Sequence, residues 1–242
     1  MKNQICKIIS NKPLADGVFE MRLGGEFAGT KPGQFVNIAL PGFYLRRPIS
    51  VCDCSEDELT IIYKVIGEGT ESLSALKPGE SLDVLTHLGN GYNLSTAGEN
   101  PLLIGGGVGV PPLFMLAKEL IAAGKDVTAI LGFNTKSEIF YVDEFASLGA
   151  KVIVTTVDGS EGVKGFVTDA IKELDYSYFF TCGPLPMLKA VFAQSKMSGQ
   201  LSLEERMGCG FGACMGCSIM TKSGAKRVCK DGPVFLKEDL MW

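Results

Sequence analysis

The sequence of 242 residues has one histidine, no basic run and no long hydrophobic segment. The single histidine, His87, rules out any centre that needs two imidazole ligands, such as a Rieske iron-sulfur centre. Because Lys and Arg are scattered and the formal net charge is -4, we expect no nucleic-acid partner. No stretch approaches the roughly 18 apolar residues of a membrane span, and residues 1–17 contain no signal-peptide core. We therefore expect a cytoplasmic protein with no membrane attachment.

Cysteine, by contrast, is abundant and unevenly distributed. Eight cysteines are present, and four of them lie between residues 209 and 229. A disulfide framework does not suit a reducing compartment, so this clustering calls for a metal or redox explanation. The spacing is C-x4-C-x2-C, followed by eleven residues and a fourth cysteine, which is typical of plant-type 2Fe-2S proteins. The candidate ligands are Cys209, Cys214, Cys217 and Cys229.

Structural zinc is the alternative interpretation of these cysteines. A zinc site also takes four thiolates, but usually from two short pairs of cysteines rather than from three in one loop. Small residues fill the loop, at Gly208, Gly210, Gly212, Ala213 and Gly216. They let the backbone wrap closely and direct amide N–H groups at negatively charged sulfides, which zinc sites do not contain. The loop favours an iron-sulfur cluster, and zinc remains the alternative.

Two further regions precede the cysteine-rich segment, and a hydrophobic content of 46% is enough to give each a core. Residues 1–98 contain six short strand patterns separated by turn signals, which predict a six-stranded antiparallel β barrel. Residues 99–199 alternate apolar strands with helical segments, which predicts a Rossmann-like parallel sheet with helices on both faces. Residues 200–242 form a small third region that carries the cysteines.

A glycine-rich turn follows the first strand of the α/β region. This segment, "GGGVGVPP" at residues 105–112, does not match G-x-G-x-x-G, so an ordinary tight turn remains an alternative to nucleotide binding. The later segment "TCGPLPM" places Cys182 and Gly183 at the end of another strand. Both segments should lie at the carboxyl edge of the sheet, where α/β folds bind ligands. A lone cysteine such as Cys182 is otherwise a small buried apolar residue.

Two polar segments stand out in the barrel region, "RRPIS" at residues 46–50 and "GEGTES" at residues 67–72. An arginine can hold a pyrophosphate by charge-assisted hydrogen bonds, and a glycine-rich turn can do so through backbone N–H groups. Each segment taken alone could also be a solvent-exposed polar stretch that binds nothing.

Together, "RPIS", "GEGT", "GGGVGVPP" and "CGP" resemble the ferredoxin-NADP reductase superfamily over residues 1 to about 197. In that superfamily a flavin-binding barrel precedes a nicotinamide-nucleotide domain. The segments "GCGFGACMGCS" and "KRVCKDGPVF" resemble the C-terminal cluster region of the electron-transfer subunits of type B (NAD-dependent) dihydroorotate dehydrogenase. The resemblance implies FAD and a 2Fe-2S cluster as bound groups, with NAD as a substrate.

The resemblance also implies which residues hold these groups. Arg47 would contact the FAD pyrophosphate and Ser50 would lie near the flavin ring, while Tyr63 could stack on an aromatic ring and Lys64 could reach a phosphate. The implied FAD residues are Arg47, Pro48, Ile49, Ser50, Ile62, Tyr63, Lys64, Gly69 and Thr70. The implied nicotinamide-nucleotide residues are Gly105, Gly106, Gly107, Gly109, Cys182 and Gly183. The implied cluster ligands are Cys209, Cys214, Cys217 and Cys229.

The same resemblance implies a function in pyrimidine biosynthesis. Dihydroorotate would be oxidised on an FMN-containing catalytic partner, and electrons would pass through the cluster and FAD of this chain to NAD. The implied assembly is a heterotetramer of two subunits of each kind. This chain shows no residue that we can assign to dihydroorotate chemistry, because no base with an orienting partner is recognisable.

Two other functions remain open at this point. One is a small FAD/2Fe-2S subunit of a bifurcating ferredoxin-NADP oxidoreductase or of a sulfhydrogenase. The other, of a different class, is a zinc-stabilised FAD-binding interaction module with no redox turnover.

Two finer expectations follow from side-chain chemistry. The second strand of the α/β region ends in "LGFNTKSE", where only Lys136 is basic, so we expect a preference for NAD over NADP. Around the cysteines lie Phe211, Met215 and Met220, apolar side chains of the kind enriched at interfaces. They indicate either a docking surface for a partner or packing around the cluster itself.

Overall fold

The computed structural model describes all residues, 1–242, and its N-terminal part is a closed barrel. The barrel strands are β1 Lys2–Ala15, β2 Val18–Gly24, β3 Phe35–Ile38, β4 Arg47–Cys54, β5 Glu58–Lys64 and β6 Ser81–Leu88. They close in the order β1-β2-β5-β4-β3-β6, and every pairing is antiparallel. Along β6, buried positions alternate with more accessible ones because one face of the strand packs inside the barrel. The predicted six-stranded antiparallel barrel is confirmed.

A short helix, α1 (Glu68–Ala75), follows β5 at a segment that the sequence predicts as a loop. The hydroxyl oxygen of Thr70 accepts hydrogen bonds from the backbone amides of Ile66 and Gly67, at 3.0 and 3.3 Å, and closes the turn before the helix. Glu68 and Glu71 lie in the first turn, where negative charge favours the helix dipole. These interactions outweigh the helix-weakening effect of the glycines in "GEGTES".

The second part of the chain is a parallel sheet covered by helices on both faces. Its elements are β7 Leu102–Gly106, α2 Phe114–Ala122, β8 Thr128–Phe133, α3 Val142–Ser147, β9 Lys151–Thr156, β10 Val163–Lys164, α4 Val167–Ile171, β11 Phe179–Cys182, α5 Leu185–Gln194 and β12 Gly199–Ser202. The parallel strands lie in the order β10-β9-β8-β7-β11-β12, as expected for a Rossmann-like sheet. Side chains of α2 and α3 pack in one buried cluster and those of α4 and α5 in another. No helix combines the length and the apolar character that a membrane crossing requires.

The cysteine-rich region returns to the rest of the fold rather than standing apart. Its elements are β13 Ser218–Thr221, β14 Gly224–Arg227, α6 Val228–Asp231 and β15 Val234–Leu236. Strand β15 pairs antiparallel with β12 and becomes the seventh strand of the sheet. The Asn90 side chain, just after the barrel, donates to the Val234 carbonyl at 2.8 Å and accepts from the Val234 amide at 3.2 Å. The region is thus fastened to both the sheet and the barrel.

The barrel and the sheet share one buried core. Barrel residues that belong to the same hydrophobic cluster as the α/β strands are Val18, Cys52 and Ile62. At the edge of this contact, Lys118 of α2 forms an ion pair with Asp53 of β4 at 3.0 Å. The ring of Phe180 on β11 meets the ring of Tyr92 edge-on at 5.6 Å. Packing across this contact therefore contributes to holding the two parts together.

We expect Phe180→Ala to destabilise the protein by about 3–5 kcal/mol, because it leaves a cavity in the shared core. Urea unfolding followed by fluorescence measures the loss. The matched control is Phe166→Ala, since the Phe166 side chain is 64% exposed. We expect the control to stay within about 0.5 kcal/mol of the wild type. Equal losses in the two variants would contradict the placement of the shared core.

Candidate functional site

The four clustered cysteines are brought together by a loop and a hairpin. Cys209 and Cys214 lie in the loop between β12 and β13, Cys217 immediately precedes β13, and Cys229 lies in α6. The hairpin pairs Ser218 with Arg227, and the amide of the next residue, Val228, donates to the Cys217 carbonyl at 3.1 Å. Pairing of β13 with β14 therefore reverses the direction of the chain and brings Cys229 next to Cys217.

All four cysteines lie in one neighbourhood. Cys214 influences the pKa of the Cys209 thiol, and both Cys217 and Cys209 influence the pKa of the Cys229 thiol. The backbone amide of Cys229 also donates to the Cys217 sulfur at 3.4 Å. No group of three or more His, Cys, Asp or Glu side chains is arranged to hold one metal ion. Four cysteine thiolates are the ligand set of a plant-type 2Fe-2S cluster and also that of a structural zinc site.

Backbone amides surround the first of these sulfurs. Burial acts to raise the pKa of the Cys209 thiol, yet the net effect lowers that pKa to about 6. The lowering comes from hydrogen bonds donated by the backbone amides of Cys214, Phe211 and Ala213. Burial raises the pKa of the Cys229 thiol to about 12. The N–H groups around Cys209 are the kind of donors that stabilise negative charge on sulfur, so the donor set fits an iron-sulfur cluster.

The loop is held in shape from its outer side by Arg227. The Arg227 guanidinium donates to the Gly212 carbonyl at 2.9 Å and pairs with Asp231 at 3.1 Å. Gly212 has a φ of +91°, and a Cβ there would lie 2.6 Å from the Lys230 side chain. Both the backbone conformation and the lack of space require glycine at this position. Sequence reasoning expected the glycine but missed Arg227.

Arg47 begins β4 and lies against the turn that starts α1. Its guanidinium stacks over the Phe43 ring at 4.7 Å and donates to the Leu45 carbonyl. A Cβ built at Gly69 would overlap the Arg47 guanidinium, so the turn and this side chain lie in close contact. Arg47 and the backbone of the 67–70 turn therefore converge, as a pyrophosphate site requires.

The neighbouring Arg46 has a different role. It pairs with both carboxylate oxygens of Asp83, at 3.1 and 2.8 Å, and also donates to the Asp83 carbonyl at 3.0 Å. These bonds tie the start of β4 to β6. The two arginines of "RRPIS" therefore differ in function. Arg46 stabilises the barrel, whereas Arg47 contacts the turn that begins α1.

Not all implied FAD residues join Arg47. Pro48, Ile49 and Ser50 continue along β4 as half-buried residues, and Gly69 and Thr70 form the facing turn. Tyr63 is only 2% exposed, stacks on Phe19 inside the barrel and donates its hydroxyl proton to Asn11.

The remaining two residues of that β5 segment face the α/β domain. Ile62 is buried in the shared core. Lys64 pairs with Glu138 of the α/β domain at 2.9 Å. The structure therefore does not bring Ile62, Tyr63 or Lys64 into the group around Arg47, and their implied roles stay predictions.

The two nicotinamide-nucleotide segments lie side by side at the carboxyl edge of the sheet. Gly105 on β7 is in register with Cys182 on the adjacent β11. A Cβ at Gly109 would collide with the backbone of Cys182 and Gly183, so the two loops touch through glycine. A Cβ at Gly106 would lie 2.5 Å from the Met187 sulfur. Gly107, which lies between Gly106 and Gly109 in the turn, has a φ of +53°, a conformation that favours glycine.

The Cys182 side chain is half-buried at this edge of the sheet. Burial raises the pKa of its thiol to about 12, so the thiol stays protonated at neutral pH. It is therefore suited to packing against a ligand and not to nucleophilic chemistry.

Comparison with family models identifies two parts of the chain. Residues 204–241 match a model described as the iron-sulfur cluster binding domain of dihydroorotate dehydrogenase B. Residues 103–192 match a model described as an oxidoreductase NAD-binding domain.

Characterised relatives match over the whole chain. The dihydroorotate dehydrogenase B (NAD(+)), electron transfer subunit, of Geobacillus sp. (strain WCH70) is 46% identical over 252 residues, which cover 97% of each chain. The subunit of the same name from Fusobacterium nucleatum subsp. nucleatum is 44% identical over 257 residues, which cover 99% of each chain.

Solved structures agree with the fold. A chain of the NADH-dependent reduced ferredoxin-NADP oxidoreductase, studied for flavin-based electron bifurcation, is 33% identical with a TM-score of 0.90, over 99% of this chain and 90% of that one. The ferredoxin reductase of carbazole 1,9a-dioxygenase has a TM-score of 0.68 at 22% identity, over 79% of this chain and 64% of that one, and supports the fold alone. FAD, a 2Fe-2S cluster and NAD are thus the redox groups of this fold and its C-terminal region.

We expect Cys214→Ser to abolish the cluster without removing FAD, because Cys214 lies outside the barrel in an exposed part of the loop. Acid-labile sulfide and the visible spectrum report the cluster, and released flavin reports FAD. The control is Cys6→Ser, which changes a barrel cysteine far from the loop in sequence. Loss of both cofactors from Cys214→Ser would show instead that the loop and the flavin site form one structural unit.

We expect Arg47→Ala to weaken FAD binding by about 1.5–3 kcal/mol, the usual loss when a hydrogen bond to a charged group is removed. Equilibrium titration of the apoprotein with FAD measures the change. Arg22→Ala serves as a control because Arg22 pairs with Glu58 elsewhere on the barrel. An Arg47→Ala protein with wild-type FAD affinity would refute the assignment of Arg47.

Proposed function

Because this chain belongs to the family of dihydroorotate dehydrogenase B (NAD(+)) electron transfer subunits, we propose that Cys209, Cys214, Cys217 and Cys229 ligate its 2Fe-2S cluster and that Arg47 and the α1 turn hold its FAD. Electrons from dihydroorotate, oxidised on a partner subunit, leave through this chain to NAD. The observation that carries the proposal is the loop around the cysteines, where backbone amides donate to the sulfurs of Cys209 and Cys217 and where the Cys209 carbonyl contacts the flavin-type barrel.

The residues of this chain bind and orient the redox groups. When bound, FAD exchanges the two-electron hydride chemistry of a nicotinamide for the one-electron steps of an iron-sulfur cluster. Arg47 supplies positive charge for the pyrophosphate, and the missing side chain of Gly69 leaves space for that arginine. The glycines at residues 105–109, with Gly183, let the nucleotide approach the sheet edge closely.

The substrate is oxidised on a separate subunit that contains FMN, and two subunits of each kind form a heterotetramer. Support comes from the apolar side chains around the cysteines, because Phe211, Met215 and Met220 are all exposed. Their exposure favours a docking surface over packing around the cluster. A cytoplasmic location completes the proposal, and it is consistent with eight cysteines of which none forms a disulfide.

A second candidate function is the small subunit of a bifurcating ferredoxin-NADP oxidoreductase. The TM-score of 0.90 to a chain of such an enzyme favours it. The identity of 33% to that chain is lower than the 46% to the Geobacillus electron transfer subunit, so the first function is preferred. The partner that co-purifies from native cells separates the two candidates, because only one of them is a dihydroorotate-oxidising flavoprotein.

We expect the isolated chain to oxidise NADH with artificial electron acceptors but not to oxidise dihydroorotate. Addition of the catalytic partner should then allow NAD reduction by dihydroorotate, measured by absorbance of NADH. Met220→Glu places a charge on a side chain that is 66% exposed and should weaken the complex at least about tenfold.

The control for docking is Val163→Glu, which lies on β10 at the opposite edge of the sheet from β15. It should leave the affinity for the partner unchanged. Oxidation of dihydroorotate by the isolated chain would contradict the proposed division of labour between subunits.

The expected preference for NAD over NADP is supported by the residues at the ends of β8 and β9. A cavity of about 550 Å³ lies there, lined by Lys136, Ile139, Val142, Val154, Glu161 and Gly162. The ammonium group of Lys136 is paired with Glu161 at 2.8 Å, and the Lys136 amide donates to the Ser160 hydroxyl at 2.8 Å. If the cavity holds the adenosine end of the nucleotide, a 2'-phosphate meets a carboxylate and not a free cation.

We expect Glu161→Gln to raise kcat/KM for NADPH about tenfold relative to NADH, equivalent to about 1.4 kcal/mol. The variant removes a negative charge and frees Lys136 to contact the 2'-phosphate. Initial rates with an artificial acceptor measure both cofactors. Glu173→Gln, a change of an exposed glutamate that forms no ion pair, is the control. Equal use of NADPH and NADH by the wild-type enzyme would contradict the expected preference for NAD.

A further inference from the structure

Asn37 is a buried polar residue in an otherwise apolar barrel strand. It lies on β3, whose sequence is FVNI, and its exposure is 1%. The side-chain amide nitrogen donates to the Cys209 carbonyl at 3.4 Å, although 172 residues separate the two in sequence. The side-chain oxygen has no hydrogen-bond partner. Only the NH₂ end of the amide can face a carbonyl oxygen, so the orientation of the side chain is determined.

Asn37 points out of the barrel on the side of the flavin motif. Val36 and Ile38 belong to the interior barrel cluster, so Asn37, which lies between them in the strand, faces outward. Asn37 pairs with Pro48 of β4, and residues directly opposite in a sheet share a face. Asn37 thus stands beside "RPIS" on the outer face of the barrel.

On the cluster loop, the residue that follows Cys209 is a glycine, and it leaves room for the Asn37 side chain. Gly210 has a φ of +80°, and a Cβ there would collide with the amide nitrogen of Asn37. The backbone of the cluster loop therefore rests directly on the barrel at one asparagine.

The contact acts on a single peptide group, the one that joins Cys209 to Gly210. In a trans peptide the C=O and the N–H point in opposite directions. A hydrogen bond that holds the Cys209 carbonyl toward the barrel turns the Gly210 N–H away from it. The same bond polarises the peptide and strengthens its N–H as a donor.

We propose that Asn37 is a positioning residue for the cluster, which sets the reduction potential by fixing the Cys209–Gly210 peptide and with it the loop whose Ala213 amide donates to the Cys209 sulfur. The inference rests on the proposed ligand role of Cys209. Hydrogen bonds to cluster sulfurs stabilise the extra negative charge of the reduced state, and they raise the potential. Asn37 thereby places the first cysteine against the barrel face that carries the flavin motif and favours electron acceptance by the cluster.

The test compares two variants that both remove the donor but differ in packing. Asn37→Leu fills the site with an apolar side chain of similar size, and Asn37→Ala leaves a cavity. Asn3→Ala, at an exposed position on β1, is the control. The readouts are the cluster potential, from redox titration followed by electron paramagnetic resonance, and the FAD and iron content of each protein.

We expect both variants to retain iron and FAD and to shift the cluster potential to more negative values by a similar amount, while the control does not change. A shift in Asn37→Ala alone would mean that packing matters and not the hydrogen bond, and it would overturn the inference. Unchanged potentials in both variants, or loss of the cluster from both, would overturn it as well. A wild-type protein without a 2Fe-2S cluster would overturn the proposed function and this inference together.

Discussion

The constraint on which the C-terminal region depends is the meeting of four cysteines at one loop and its hairpin. Thiolates and sulfides carry negative charge, so the loop must offer N–H groups at close range and exclude bulky side chains. The glycine-rich backbone meets both needs, with donors directed at Cys209 and a shape held by Arg227 from outside. The hairpin of β13 and β14 then brings the fourth cysteine to the third.

The placement of this loop explains the larger architecture. The chain leaves the sheet at β12, forms the loop against the barrel, and returns through β15 to pair with β12 again. The cluster region is therefore anchored at both of its ends by the same strand. On the other side, the barrel and the sheet share a buried core, which keeps the α1 turn and the 105–109 turn in one fixed body.

Local sequence patterns were sufficient to predict much of the fold and the general location of the site. Strand alternation, turn residues and the switch to helix-strand alternation predicted the barrel and the sheet correctly. The cysteine spacing drew attention to the loop because spacing is itself a local property. Contacts between residues that are distant in sequence were not predictable from local patterns. Examples are the hydrogen bond from Asn37 to Cys209 and the ion pair of Arg46 with Asp83, which distinguishes Arg46 from Arg47. The helix α1 was missed because a threonine cap and a charge-dipole effect outweighed its glycines.

The central claim is that Cys209, Cys214, Cys217 and Cys229 hold a two-iron cluster beside the flavin barrel. The most direct measurement is quantitation of iron, acid-labile sulfide and zinc in anaerobically purified protein, with electron paramagnetic resonance of the dithionite-reduced sample. The account predicts about two iron and about two sulfide per chain, with a signal from one unpaired electron in the reduced cluster. About one zinc per chain, without labile sulfide or signal, would contradict it.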